Sequence, residues 1–168
     1  MSLKWLDKLI ERAKELEEQG RRIAFERDEP ISSVDVDWLW DIDSTSFEIG
    51  RALRDLLPEE EWRKWFSFTS SIGAVARRLD VAITEGRAEG LARKDFKLKE
   101  FYKDFMREMD ENYEKLTGRR CTWLLNVVEP YAYSAAVNDV TACFHRAIEK
   151  AEEVRGGWRI EGKCAWRR

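Results

Sequence analysis

Val34 to Asp43 reads VDVDWLWDID. Counted by twos, Val34, Val36, Trp38, Trp40 and Ile42 fall on one side, and Asp35, Asp37, Leu39, Asp41 and Asp43 on the other. That alternation is the pattern of a half-buried strand. Elsewhere the apolar residues recur at spacings of three and four. The reading of these ten residues therefore decides whether the chain is helical throughout or carries an extended segment. If the stretch is a helix, Asp37 and Asp41 share a face and the alternation is accidental.

Outward from this segment the helical spacing is plain. Leu6, Leu9, Ile10, Ala13, Leu16 and Ile23 make one stripe, which Pro30 bounds. Pro58 ahead of Glu59, Glu60 and Glu61 marks a helix start, with acids facing the positive end of the dipole. Ser67 to Ser71 interrupts the next pattern with short hydroxyl side chains that compete for backbone bonds. A helix is expected from Asp95 through Phe101, Phe105, Met109 and Tyr113 to a stop at Gly118. Trp123 to Val128 is compatible with helix or strand. The last long helix carries Ala136, Val140, Cys143, Phe144, Ala147 and Ala151 on one face, and Gly156-Gly157 is its expected end. The expected fold class is mainly α: a single-domain helical bundle of about six helices over residues 1–155. It leaves room for one short extended segment near 34–43 and a small C-terminal hairpin within a basic tail, 156–168.

At 168 residues the chain can bury a core without disulfides or a structural metal. Cys121, Cys143 and Cys164 have no metal-knuckle spacing, and with one His in the chain no Cys/His zinc centre is expected. Reduced thiols in a cytoplasmic protein are the expectation. The N-terminus has no secretory leader pattern and no apolar run is long enough for a bilayer, so no membrane role is expected. Charged residues are 38% of the chain, a proportion seen in proteins from hot environments. Residues 29–61 carry two basic and ten acidic side chains, whereas 155–168 carry five basic and one acidic. Such a layout suits contact with charged partners.

Three places have the residues for chemistry or binding. In the tail, Arg155, Arg159, Lys163, Arg167 and Arg168 are interleaved with Trp158 and Trp166, a composition that suits nucleic-acid contact through phosphates and stacking. His145 falls on a polar stripe with Ser134, Asn138, Thr141 and Glu149, and Glu149 one turn on favours its charged form. The third place is the Asp cluster, whose crowding a divalent cation would relieve. Trp38 to Thr45, WLWDIDST, resembles the first motif of the haloacid-dehalogenase-like phosphohydrolases, a hydrophobic strand ending in Asp-x-Asp-x-Thr, with Ser44 where Gly is usual. The resemblance implies Asp41 as nucleophile, Asp43 as acid/base and Mg²⁺ as cofactor. It implies Thr69 as the second-motif hydroxyl and one of Lys94, Lys97 and Lys99 as the lysine. Asn138-Asp139, the nearest match to the family's last acidic motif, falls inside a helical pattern.

Two functions follow. The first is a cytoplasmic helical binding or assembly protein without cofactor or metal, contacting another protein or a nucleic acid, self-association included. The second is a Mg²⁺-dependent phosphohydrolase using Asp41 and Asp43.

Overall fold

Ser32 decides the disputed segment. Its hydroxyl accepts from the amide of Val34, while the Asp35 carboxylate accepts the Ser32 amide at 3.1 Å, a reciprocal cap that starts a helix. The computed structural model describes residues 3–91 and 93–161, with side chains through 157. It places Ser33–Arg54 in a single helix, α2. The extended reading of 34–43 is thus replaced. Asp35, Trp38, Leu39 and Ile42, spaced three, one and three apart, form the buried face. Trp40, on the apolar side of the alternation, stands 62% exposed, because it lies two residues, about 200°, round the helix from buried Trp38.

Four further helices complete the bundle: α1 (Lys4–Phe25), α3 (Glu59–Ala88), α4 (Tyr102–Thr117) and α5 (Tyr133–Glu161). A short 3-10 turn covers Leu124–Asn126. Among the described residues there is no strand, only two isolated bridges, Pro30 with Arg93 and Lys97 with Ala132. The fold is therefore mainly α, with five α-helices among the described residues where about six were expected.

α5 is the central helix. Val137, Val140, Cys143, Phe144, Ala147, Ile148, Ala151 and Val154 are all buried, and α1, α2, α3 and α4 each pack on it. α1 runs antiparallel to it, tied by Asp7 to Arg155, Lys14 to Glu152 and Glu17 to His145. α2 and α3 form a second antiparallel pair, whose close approach is made at Gly50 and Gly73. Trp65 and Phe68 of α3 meet Tyr113 of α4 edge-on or tilted.

Three expected helix ends moved. α3 passes unbroken through Ser67–Ser71, because Thr69 and Ser71 donate back to the carbonyls of Phe66 and Phe68 instead of opening the turn. α4 starts at Tyr102, not Asp95. Residues 94–98 run across the start of α5, where Leu98 donates to Tyr131, and Tyr133 and Ser134 donate to Phe96 and Lys94. α5 continues through Gly156 and Gly157 to Glu161, so the hairpin gives way to helix as far as 161. Its remainder lies outside the described residues.

One glycine is required by contact. At Gly20 of α1 a Cβ would lie 2.6 Å from Trp38 Cζ2 and overlap Thr141 Oγ1, both buried. Trp38 cannot retreat, since its indole N–H is held by the Leu16 carbonyl at 2.8 Å. Gly20→Ala is expected to lower stability by about 2 kcal/mol, as overpacking of a filled core does, despite the better helix propensity of Ala. Urea denaturation monitored by circular dichroism measures it, and an unchanged midpoint would contradict this packing.

Candidate functional site

The residues that carried the phosphohydrolase resemblance lie on helices. Asp41 and Asp43 are two positions apart on α2, so they diverge by about 200° instead of sharing a strand end. Asp43 is taken up by Arg77 at 2.7 Å, across from Gly73. Thr69 faces Gly50, one turn along α3. Among the described residues no three His, Cys, Asp or Glu side chains are grouped to hold a metal ion.

Of the proposed tail contacts, Arg155 is in a two-pronged ion pair with Asp7, at 2.7 and 3.1 Å, which binds α5 to α1. Trp158 and Arg159 lie on α5, with their side chains outside the described residues. Lys163, Trp166, Arg167 and Arg168 are likewise outside.

The most heavily built part of the molecule is the connection from α4 to α5. Five consecutive amides along it end on two carboxylates. Asp110 of α4 accepts from Cys121 and Thr122 at 2.8 and 3.2 Å. Asp139 of α5 accepts from Trp123 and Leu124 on Oδ1, both at 2.8 Å, and from Leu125 on Oδ2 at 2.9 Å. The Tyr131 hydroxyl adds a fourth donor to Asp139 at 2.7 Å. Cys121 and Cys143 form a disulfide that ties the same segment to the middle of α5. This corrects the expectation of reduced thiols for these two. Cys164 lies outside the described residues.

Asp139 is fully buried. Burial pushes its carboxyl above the ordinary aspartate range, and the amides of Leu124 and Trp123, the Tyr131 hydroxyl and the Leu125 amide pull it back only in part. Burial also pushes the Tyr131 phenol well up, with the Asp139 charge adding to the effect, so its proton stays in place to donate.

This rigid segment leaves two large apolar side chains in solvent, Trp123 at 70% and Val127 at 66% exposure. At the end of α1, Phe25 is 76% exposed and shares a cleft with Leu124 and Val128, their neighbours in the chain. Between the segment and α1 run two clefts on successive turns of the α1/α5 pair, with Asn138 in the wall of both. One, of about 210 Å³, is largely apolar: Ala24, Phe25, Leu124, Val128, Pro130 and Ala135 are among its walls. The other, of about 200 Å³, is polar and cationic, with Arg21, Cys121, Thr141, His145 and Arg146. Trp123 lies in the chain between Cys121 of one cleft and Leu124 of the other.

His145 is partly exposed and paired across the helix interface. Its Nδ1 is 2.6 Å from Glu17 Oε1 across the α1/α5 interface, closer than Glu149 at 3.8 Å. Ser134 and Thr141 of the polar stripe are buried, so that stripe packs toward α1. No family model, curated protein or solved structure matches this chain.

Asp139→Ala would strand three amides and a phenol. A loss of about 3 kcal/mol is expected from leaving such groups without an acceptor, read by urea denaturation. The pH effect has a definite sign. The folded pKa exceeds the unfolded value near 3.8, so the ionised, buried carboxylate costs stability at neutral pH. That cost is relieved as pH falls through the folded pKa. A carboxyl ¹³C titration should find Asp139 above 3.8, and a midpoint below it would contradict the dominance of burial.

Proposed function

We propose that the protein is a binding module that docks a partner protein on the face made by the connection 119–130 and the last turns of α1. The carrying observation is that two carboxylates and a disulfide hold a segment whose outward product is exposed Trp123 and Val127. Two buried or nearly buried Asp side chains add nothing to a hydrophobic core. Their use to freeze a connection supports preorganisation, which lowers the ordering cost of association. A rigid, exposed Trp beside an apolar cleft is the usual form of an energetic anchor at protein interfaces.

A protein partner is favoured over a nucleic acid by the charge around the face. Arg21, Arg120 and Arg146 are held by Glu17, Glu114 and Glu149, at 2.6, 3.2 and 2.8 Å. The chain as a whole carries −3. Three cations, each already sharing a carboxylate, are too few for the steep, many-phosphate binding of a nucleic acid. No helix among the described residues is long and apolar enough to cross a membrane. Disulfides in cytosolic proteins are chiefly a habit of heat-adapted organisms. A cytoplasmic setting for this chain therefore goes together with the thermostable reading of its charge-rich composition.

Trp123→Ala and Val127→Ser should leave the melting temperature within a few degrees of the parent, since both side chains are exposed. Peptides selected on the folded protein from a random displayed library should bind Trp123→Ala at least about tenfold more weakly, as an anchor residue requires. Selected peptides indifferent to both substitutions would overturn this reading. So would tight, salt-sensitive binding of a labelled single-stranded oligonucleotide, which would make nucleic acid the partner.

A further inference from the structure

The cationic cleft lies one helical turn from the apolar one, and the two share Asn138. Its walls present Arg21, His145 and Arg146, whereas the carboxylates that hold these side chains, Glu17 and Glu149, are not among the lining residues. Glu17 is shared: Oε2 takes Arg21 at 2.6 Å and Oε1 takes His145 at 2.6 Å. Its side chain is 10% exposed, against 51% for Arg21 and 41% for His145. The acid thus stands behind the cations and orients them toward the cleft. Asn138, in the wall between the clefts, makes no side-chain hydrogen bond among the described residues and has both donor and acceptor to offer. Arg146 keeps guanidinium donors beyond the one given to Glu149.

From this juxtaposition we infer that the docking face takes a peptide segment in which an apolar side chain is followed closely by an acidic one. The apolar side chain fills the cleft of Phe25, Leu124, Val128 and Pro130. The carboxylate enters the neighbouring cleft, accepting from Arg146 and Arg21, with Asn138 between the two. Guanidinium and carboxylate match as planar partners, which gives direction as well as attraction. Arg27 and Asp95 at the apolar cleft oppose each other in sign, so the cationic bias belongs to the far cleft alone.

The inference rests on the docking function proposed above, and its test separates the two. A random dodecapeptide library displayed on phage is panned on the folded protein. One selected peptide is then synthesised with a fluorescein label and its Kd measured by anisotropy. Selected peptides are expected to carry Asp or Glu within a few residues of a large apolar side chain. Arg146→Gln should weaken binding about tenfold, and replacing the peptide's acid by its amide should do the same. The two changes together should cost little more than either alone, as a coupled pair behaves. The peptide-side change needs no protein variant, so it reads out even if Arg146→Gln disturbs the fold. If affinity is lost in Trp123→Ala but unmoved by Arg146→Gln and by the amide, this inference fails and the docking face stands. If the library yields no binder, or binders indifferent to Trp123→Ala as well, both fail.

Discussion

Five neighbouring amides with two carboxylates to receive them are the constraint on which the rest of this structure depends. A connection that crosses the central helix near its start takes polar backbone into partly buried surroundings, and each N–H there needs an acceptor. Asp110 and Asp139 answer for Cys121 through Leu125 without help from a strand or a ladder. Because Asp110 belongs to the middle of α4 and Asp139 to the second turn of α5, the same bonds fix one helix against the other. The disulfide from Cys121 to Cys143 closes the arrangement one turn further along α5. What emerges is a stiff ridge on a helical bundle, with exposed Trp123 on it and two clefts between it and α1.

The helices were readable because burial in a bundle imposes a period the sequence must obey. α1, the start of α3 at Pro58 and the stop at Gly118 follow from apolar spacing and end signals alone. VDVDWLWDID misled because two exposed residues, Val34 and Trp40, happen to fall in step with buried Trp38 and Ile42. Ser32 and Asp35, three apart behind Pro30, were the better signal, since a capping pair names a helix start where hydrophobicity is ambiguous. Spacing alone is not enough: Thr45 and Glu48 are also three apart, yet Thr45 lies mid-helix and buried. The helix expected from Asp95 takes in 95–98 because Leu98 falls in step with Phe101 and Phe105; Phe96 lies beside it. In the fold Phe96 and Leu98 are buried by pairing across the start of α5.

The site was hardly legible, and the reason is distance along the chain. Asp139 captures amides 14 to 16 residues before it, and Asp110 amides 11 and 12 after it. No local pattern encodes a carboxylate waiting for a remote loop. Cys121 and Cys143 show no motif spacing because their pairing is set by where α5 passes, not by a repeat. Charge misled in the same way. The acidic block is dispersed: Asp35 is buried against Tyr133 and Lys94, Asp43 pairs with Arg77, and Glu61 pairs with Lys150. Arg155, read as a free cation of the tail, fastens α5 to α1 through Asp7. Much of the apparent asymmetry is thus used to join helices.

Native-state hydrogen exchange followed residue by residue tests the central claim most directly. If two buried carboxylates hold the connection, the amides of Cys121 through Leu125 must exchange with protection comparable to the middle of α5, because opening them means breaking the joint between α4 and α5. Exchange of these five amides at the rate of an ordinary surface loop, while α5 remains protected, would contradict the account.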